Sequence, residues 1–149
     1  RNRGVKEAVC DRVAFLDSDD MWVDGKLVKQ LKLMDETGTL ICSTARELLT
    51  EDGNRTGKII EVPDTVTYRE LLKGNVINCS SVVADRNILM KYPMGNDDIH
   101  EDYICWLQIL KLSSAKKTFA VYRKLGYGFF RSCLYFANYA VNGVKKYFL

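Results

Sequence analysis

The sequence has little of several features that define whole classes of protein. Only 2 prolines and 10 glycines occur in 149 residues, which excludes collagen-like and proline-rich chains. No run of 18 apolar residues is present, so no membrane-spanning helix is predicted. With 11% aromatic residues and a net charge of only +3, the chain is not of the disordered type. These absences leave one soluble globular domain, or most of one.

Cysteine usage gives no sign of a disulfide framework or of a zinc site. The 5 cysteines are odd in number and scattered along the chain, with no C-x-x-C pair among them. A zinc knuckle needs such closely spaced pairs, and a disulfide scaffold needs more cysteine in this length. We therefore predict free, mostly buried thiols in a reducing compartment, which means a cytoplasmic protein.

Acidic residues are missing from the last third of the chain. Residues 103–149 contain 8 Lys and Arg but no Asp or Glu, whereas residues 1–102 contain 14 Lys and Arg against 19 acidic residues. The acidic part suits a metal ion, and the basic, aromatic part suits phosphate, an anionic glycan or a membrane surface. We expect this tail either to lie on the cytoplasmic face of an anionic membrane or to pack against the domain or a partner in a homodimer.

Hydrophobic patterning predicts an α/β fold. Val13–Leu16 is a short apolar run, typical of a strand buried in a mostly parallel sheet. Residues 24–36 have the spacing of an amphipathic helix, with Lys26 and the other lysines away from its apolar face. Further strands are predicted at 39–44, 58–62 and 76–84, and further helices at 68–73, 85–90 and 101–111. Because 116–149 is predicted to be helical, the chain divides into a domain at 1–115 and a basic, aromatic helical extension at 116–149.

An acidic turn, Asp17-Ser18-Asp19-Asp20, follows the first predicted strand. Carboxylates at the carboxyl end of a strand lie where open α/β sheets bind ligands. Asp17 and Asp19 are one residue apart and can share Mn²⁺ or Mg²⁺, which would neutralise a diphosphate leaving group. Asp20 is predicted to cap the helix that follows.

Three chemistries use an acidic string of this kind. A calcium EF-hand is excluded, because it needs an oxygen ligand where Met21 stands and glycine where Trp22 stands. In a haloacid-dehalogenase-type phosphohydrolase, Asp17 would be the nucleophile and Asp19 the acid/base, with 95–98 as a later acidic motif, although Met21 counts against it. In a glycosyltransferase, the same turn holds a sugar nucleotide. The residues by themselves leave the last two chemistries open.

A second group of functional side chains opens the helix predicted at 101–111. Adjacent carboxylates at a helix start, here Glu101 and Asp102, are favoured by the helix dipole and can be simple caps. Asp102 can instead act as a general base. Trp106 lies four residues later on the same helical face, where its indole can form an apolar wall or a platform for a sugar. His100 is the single histidine, and we expect it to be a bystander.

Taken together, the motifs resemble those of family 2 glycosyltransferases of the GT-A fold. Three strings occur in the order typical of that family: Arg1-Asn2-Arg3-Gly4, then Phe15-Leu16-Asp17-Ser18-Asp19-Asp20-x-Trp22 with Lys26-Leu27 following, and Glu101-Asp102-Tyr103-x-x-Trp106-Leu107. The piece from 63 to 86 is also similar to bacterial members that build cell-surface glycans. The resemblance implies a partial GT-A, Rossmann-like mixed sheet flanked by helices, with a C-terminal helical tail.

The resemblance also implies an activity and a set of residue roles. The activity is inverting transfer of a sugar from a nucleoside diphosphate sugar, a UDP-sugar in particular, to a glycan or lipid-linked hydroxyl in surface polysaccharide synthesis. The implied roles are nucleotide binding by Arg1, Asp17, Ser18 and Asp19, metal binding by Asp17 and Asp19 with Mn²⁺ or Mg²⁺, proton abstraction by Asp102 with Glu101 beside it, and substrate binding by Tyr103 and Trp106.

The sequence departs from the family in two places. The strand–helix–strand unit that holds the base in family members is missing ahead of Arg1. After Lys111, the segment 112–117 follows at once where the family has a strand with a Tyr-Arg pair. We therefore expect a fragment or a shortened protein, and a non-catalytic sugar or nucleotide binder is the alternative to an enzyme.

Overall fold

The computed structural model of the chain describes residues 1–95, 100–112, 119–122 and 128–131. Its helices are α1 (Asn2–Glu7), α2 (Lys26–Thr37), α3 (Tyr68–Leu71), α4 (Arg86–Lys91) and α5 (Glu101–Leu112), with one 3₁₀ turn at Cys79–Ser81. Its strands are β1 (Arg12–Ala14), β2 (Asp20–Trp22), β3 (Ile41–Thr44), β4 (Arg46–Leu49), β5 (Arg55–Ile60), β6 (Val83–Asp85), β7 (Phe119–Tyr122) and β8 (Gly128–Arg131).

The described strands form two mixed sheets of four strands each. The first sheet has the order β1-β6-β3-β7, in which β6 is antiparallel to both its neighbours and β7 is parallel to β3. The second has the order β2-β8-β4-β5, in which β8 is antiparallel to β2 and parallel to β4. The predicted α/β class with a mixed sheet is therefore confirmed. The narrower expectation for the first strand is wrong, because the described partner of β1 is the antiparallel β6.

Helix α2 forms where the periodicity predicts it, but it turns an unexpected face to the core. The helix ends at Gly38, whose φ of 67° suits glycine and whose N–H donates to Met34 O at 2.8 Å. Its buried residues are Lys26, Gln30 and Met34, whereas Val28 is 70% exposed. The prediction that Lys26 lies away from the buried face is therefore wrong. Lys26 and Gln30 thus occupy two positions of the buried face that are normally apolar in an amphipathic helix.

The predicted cap of α2 is also placed differently. Asp20 is buried at the start of β2, and the N-cap position of α2 is Gly25 with φ 75°. The prediction that Asp20 caps this helix is wrong, because the strand β2 intervenes between the acidic turn and the helix.

The strand predicted at 76–84 forms only at its end. Before β6 the chain makes the 3₁₀ turn, in which both the N–H and the Oγ–H of Ser81 donate to Asn78 O, at 3.1 and 2.6 Å. Just upstream, Asn75 Oδ1 accepts from the N–H of Ile77 at 3.0 Å. Local hydrogen bonds of Asn and Ser compete with a strand ladder. The turn places Ser80 and Ser81 inside the protein, at 3% and 1% exposure.

Two strands lie in the part of the chain predicted to be a helical tail. β7 pairs with β3 from Ile41↔Phe119 to Thr44↔Tyr122, and β8 lies between β2 and β4. The helical prediction is therefore wrong for these two segments, and the strand missed after Lys111 ends at a Tyr122-Arg123 pair in the sequence. The remainder of the predicted tail lies outside the described residues.

Helix α5 packs one face into the larger hydrophobic core. Cys105, Trp106 and Ile109 are at most 1% exposed, and the Trp106 ring meets Phe15 edge-on with centroids 6.1 Å apart. This anchoring fixes the helix start, where the carboxylates Glu101 and Asp102 stand. Among the described helices, none has the length and apolar character needed to cross a bilayer.

Candidate active site

The arginine at the start of the chain joins the two acidic motifs. Arg1 Nη2 lies 2.6 Å from Asp17 Oδ1, and Arg1 Nη1 lies 2.5 Å from Glu101 Oε1. All three side chains keep about a third of their surface exposed, at 33%, 32% and 30%. Residues separated by 100 positions in the chain are thus brought into one charged cluster. The acidic turn and the start of α5 therefore adjoin each other.

The charge on Arg1 is held firmly by this cluster. Burial alone would lower the pKa of Arg1. The hydrogen bond to Asp17 and the charges of Asp17 and Glu101 raise it by more than burial lowers it, so the pKa lies above the ordinary arginine value. A guanidinium that forks between two carboxylates neutralises part of their charge and fixes their separation.

The acidic turn is hydrogen-bonded to the 3₁₀ turn at Cys79–Ser81. The backbone N–H of Asp17 donates to Ser80 Oγ at 2.9 Å, and the N–H of Asp20 donates to Asp17 O at 3.1 Å. Ser18 and Asp19 are exposed at the tip of this turn. The arrangement offers the Asp19 carboxylate to solvent while Asp17 stays paired with Arg1.

Asp102 has the environment of a proton acceptor. Burial raises the pKa of Asp102, and the negative charge of Glu101 acts in the same direction. The hydrogen bond from the Tyr103 N–H, 2.7 Å from Asp102 Oδ1, and the charge of Arg1 oppose the rise without cancelling it. A carboxylate with a raised pKa is a stronger base than an ordinary one. Glu101 differs from it, since its carboxylate is held by Arg1.

The aromatic candidates lie deeper than a sugar platform requires. Trp106 is fully buried against Phe15, so the prediction that its indole is a platform for a sugar is wrong, and an apolar wall beside Asp102 stays a prediction. Tyr103 is half-buried and donates its hydroxyl to Leu71 O at 2.7 Å. His100 is exposed, has φ 60°, and contacts Tyr103 edge-on with centroids 6.5 Å apart. Of these three residues, the structure leaves His100 and the edge of Tyr103 accessible beside the carboxylates.

The donor atoms in the turn fit a hard divalent cation that is shared with a ligand. Among residues 1–95 and 100–112, no group of three or more His, Cys, Asp and Glu side chains could enclose an ion by itself. Asp17 and Asp19 supply carboxylate oxygens, the type that Mg²⁺ and Mn²⁺ prefer, and Asp17 uses one of them for Arg1. A cation here would therefore need further oxygen ligands from a bound molecule or from water.

A groove of about 530 Å³ is lined by residues of α1, of β1 and of the segments that flank them. Its lining is mostly apolar and includes Val5, Val9, Val13 and Leu16. Two arginines, Arg1 and Arg12, also line it. The carboxylates of the acidic turn, Asp17 and Asp19, are not part of this lining.

Comparison with known families decides between the chemistries that the residues left open. A profile of the family described as "Glycosyl transferase family 2" matches residues 1–92. The chain belongs to glycosyl transferase family 2. Membership favours transfer over the phosphohydrolase alternative, whose later acidic motif at 95–98 lies largely outside the described residues. The predicted resemblance to this family is confirmed.

Two curated relatives illustrate the family-2 match. The chain is 34% identical over 173 aligned residues to the teichuronic acid biosynthesis glycosyltransferase TuaG of Bacillus subtilis, covering 98% of this chain and 69% of the relative. It is 38% identical over 112 residues to UDP-Glc:alpha-D-GlcNAc-diphosphoundecaprenol beta-1,3-glucosyltransferase WfgD of Escherichia coli, covering 74% of this chain and 43% of the relative. The chain thus spans 69% of the length of the first relative and 43% of the second.

Solved structures show the same fold. The chain superposes on crystal structures of S. aureus TarS 1–349, without and with UDP, at TM-scores of 0.61 and 0.60 and 17% identity. The match covers 88% and 89% of this chain and 39% of each TarS chain. At this identity the likeness concerns the fold, and it supports the predicted GT-A architecture of the family-2 chain.

Sequence reasoning missed the residues that support the acidic turn from inside. Ser80 accepts the Asp17 N–H through its side chain and the Trp22 Nε1–H through its carbonyl, the latter at 2.7 Å. Cys79 beside it is 2% exposed, and burial raises its pKa well above the usual thiol range. The available signal was the similarity of the 63–86 piece to family members, because no local spacing links position 80 to position 17.

Replacement of Asp102 by asparagine is expected to stabilise the folded protein at neutral pH. In the unfolded chain Asp102 ionises at the usual carboxyl pKa, whereas in the folded chain it ionises only at higher pH. The wild type therefore loses stability as the pH rises across that interval, and Asp102→Asn does not. Thermal unfolding of the parent protein between pH 4 and pH 8 should show a higher Tm for the variant at pH 7 and a shrinking difference towards pH 4.

Glu101→Gln is the matched control for this measurement. It removes the neighbouring negative charge but breaks the ion pair with Arg1, so it should lower the Tm slightly or leave it unchanged, as expected for a partly exposed pair. A lower Tm for Asp102→Asn than for the wild type at pH 7 would contradict the assigned burial effect.

Proposed function

We propose that the chain is the catalytic part of an inverting, metal-dependent glycosyltransferase. It transfers a sugar from a nucleoside diphosphate sugar, a UDP-sugar, to a hydroxyl of a glycan or lipid-linked glycan in bacterial cell-surface polysaccharide synthesis. The observation that carries the proposal is the double ion pair of Arg1, which joins the Asp17 turn to Glu101 in a chain of family 2.

The relatives support the choice of donor and acceptor. TarS was crystallised with UDP, and WfgD is named for UDP-Glc as donor and for a diphosphoundecaprenol-linked acceptor. TuaG is named for teichuronic acid biosynthesis. A UDP-sugar and a surface-glycan acceptor are the substrates on which these names converge, and we carry both over to this chain as part of the proposal.

The chemistry that we assign to the site is a single displacement at the anomeric carbon of the donor sugar. As the acceptor oxygen bonds to that carbon, its proton moves to Asp102, and the bond between the carbon and the diphosphate oxygen breaks. Asp102 Oδ1 already accepts the Tyr103 N–H, so Oδ2 is the atom that takes the proton. Glu101 stays with Arg1 and keeps the negative charge next to Asp102 that supports its basicity. Attack opposite the leaving group inverts the anomeric configuration.

The residues that would hold a divalent cation are Asp19, at the exposed tip of the turn, and Asp17. Bound Mn²⁺ or Mg²⁺ would supply neutralisation of the negative charge that collects on the departing diphosphate. Arg1 contributes positive charge to the same region from the protein itself. Ser18 lies between the two aspartates and is exposed, and we assign to its hydroxyl a hydrogen bond to the diphosphate.

The proposed function is tested by release of UDP. The parent protein should release UDP from a UDP-sugar only when a divalent cation is present, and faster when a lipid-linked glycan acceptor is added. Asp102→Asn keeps the shape of the side chain but cannot take a proton, so kcat should fall by about 10²- to 10⁴-fold while UDP affinity is kept. Glu101→Gln is the control and should lose much less.

Two outcomes would count against this assignment. A fall in kcat of less than tenfold in Asp102→Asn would make the residue a helix cap rather than the base. UDP binding without any turnover, across a set of UDP-sugars and acceptors, would favour a non-catalytic nucleotide-binding protein.

Asp19→Asn is expected to remove the cation-dependent part of UDP binding and leave the fold intact. The side chain is exposed in a turn, so its packing contributes little to stability. Calorimetric titration of the parent protein with UDP, with and without Mn²⁺, should show that Mn²⁺ strengthens binding in the wild type but not in the variant. Asp24→Asn, which changes another exposed aspartate outside the turn, is the control. An unchanged Mn²⁺ effect in Asp19→Asn would place the cation elsewhere.

We further propose that the parent protein associates with the cytoplasmic face of the membrane through the basic end of its sequence. Each Lys or Arg near an anionic leaflet contributes about 1 kcal/mol of attraction. Lys145→Gln combined with Lys146→Gln should therefore reduce co-sedimentation with anionic vesicles, most clearly at low salt. Point substitutions suit this test better than removal of the residues after Lys117, because that truncation would also delete β7 and β8. Equal sedimentation of variant and wild type would favour packing of this end on the domain or in a homodimer.

A further inference from the structure

A lysine is buried beneath the acidic turn, in a place where no proposed catalytic step uses it. Lys26, in the first turn of α2, is 1% exposed. Its Nζ donates to Gln30 Oε1 at 2.6 Å and lies 4.6 Å from the centroid of the Trp22 ring. Burial lowers the pKa of Lys26 to about 8. Removing an ammonium group from water is unfavourable unless its contacts offset the loss of hydration.

Gln30 connects Lys26 to two backbone carbonyls through hydrogen bonds. It is 0% exposed, and its Nε2 donates to Cys42 O at 3.1 Å and to Ser81 O at 2.9 Å. Since Lys26 can only donate, it requires the carboxamide oxygen of Gln30 to face it, and the NH₂ group must then face the carbonyls. Lys26 thereby fixes which end of Gln30 meets the 3₁₀ turn.

Trp22 makes a second connection to the same turn. Its Nε1–H donates to Ser80 O at 2.7 Å, while its ring lies beside the Lys26 ammonium. The consecutive carbonyls of Ser80 and Ser81 therefore each accept a hydrogen bond from a side chain that Lys26 contacts. Ser80 in turn accepts the N–H of Asp17 through Oγ, at 2.9 Å. A continuous set of contacts runs from the buried ammonium to the backbone of the acidic turn.

The buried network of Lys26, Gln30 and Trp22 is not the arrangement that would stabilise the fold most. A methionine at position 26 has nearly the length of lysine and would fill an interior site without the desolvation of a charge. Replacement of buried charged groups by apolar ones of similar volume is often neutral or stabilising. A directional network, by contrast, restrains the backbone positions that it touches, which apolar packing does less specifically.

We infer that Lys26, Gln30 and Trp22 are positioning residues that hold the Ser80–Ser81 turn, and through it the Asp17 turn, in the geometry that binds the diphosphate of the donor. The inference rests on the proposed function for the identity of the ligand. Its structural part, restraint of the Asp17 backbone by Lys26, stands independently of catalysis. Lys26 touches neither substrate nor cation in this scheme and acts only through Gln30 and Trp22.

The direct test is the hydrogen exchange of the Asp17 amide in the parent protein, followed by NMR. In Lys26→Met this amide should exchange at least about fivefold faster, the factor that corresponds to the net loss of one ordinary hydrogen bond. The Tm should stay within a few degrees of the wild type or rise. Ser80→Ala, which removes the acceptor of this amide, is the positive control. Lys32→Met is the matched control, because Lys32 lies on the same helix with 73% of its side chain exposed.

Trp22→Phe is the second variant and keeps the measurement decisive if Lys26→Met does not fold. Phenylalanine retains a ring beside Lys26 but lacks the Nε1–H donor to Ser80 O, so the Asp17 amide should again exchange faster. In parallel, the affinity for UDP with Mn²⁺, measured by calorimetry, should weaken several-fold in both variants and not in Lys32→Met.

The outcomes separate this inference from the proposed function. Unchanged exchange of the Asp17 amide in a folded Lys26→Met or Trp22→Phe protein overturns the positioning role. Faster exchange with unchanged UDP affinity also overturns it, since the turn would then be restrained without benefit to the donor. If the wild type does not bind UDP at all, the proposed function fails, while the exchange measurement still reports on restraint of the turn.

Discussion

Repulsion between carboxylates is the constraint on which the candidate active site depends. Asp17, Glu101 and Asp102 are brought together by elements that are distant in sequence, and such a group would push itself apart without a counter-charge. Arg1 supplies that charge with a planar fork, one nitrogen for Asp17 and one for Glu101. The third carboxylate, Asp102, takes no part in this pairing among the described contacts and is left with a raised pKa. One guanidinium thus separates three similar groups into two that share its single positive charge and one whose pKa is raised.

The second organising feature is the polar interior beneath the acidic turn. Most of the core is apolar and includes Trp106, but the 3₁₀ turn at Cys79–Ser81 accepts hydrogen bonds from Trp22 of β2 and Gln30 of α2. Buried polar networks are stable only when their members find partners, and they are directional when they do. The apolar core therefore fixes where α5 begins, while the polar contacts fix where the Asp17 turn sits.

Sequence patterns predicted the elements that local chemistry controls. The acidic turn and the amphipathic helices α2 and α5 were found from spacing, and the end of α2 at Gly38 was found from its glycine. The contacts of Ser80 could not be found in this way, because its partners lie 58 and 63 positions away. Lys26 was misplaced for a related reason, since its burial depends on Trp22 and Gln30 rather than on hydropathy.

The tail shows the same limit more clearly. Phe119–Tyr122 and Gly128–Arg131 contain aromatic and β-branched residues that suit strands as well as helices. These segments form strands because they pair with the edges of β3 and β4, which lie much earlier in the chain. Tertiary pairing therefore overrides the helical pattern in these segments.

The position of β8 has a consequence for how the domain assembles on the ribosome. β8 lies inside its sheet, between β2 and β4, although it is the last strand described along the chain. The growing chain must expose β2, α2 and β4 well before their common neighbour leaves the exit tunnel. Until Arg131 has emerged, both flanking strands carry an unpaired edge, and such edges are prone to pair with other chains. About 80 residues are therefore synthesised between the end of β4 and the end of β8 while the place of β8 in the sheet is empty. This is the period in which a chaperone would protect the nascent protein most.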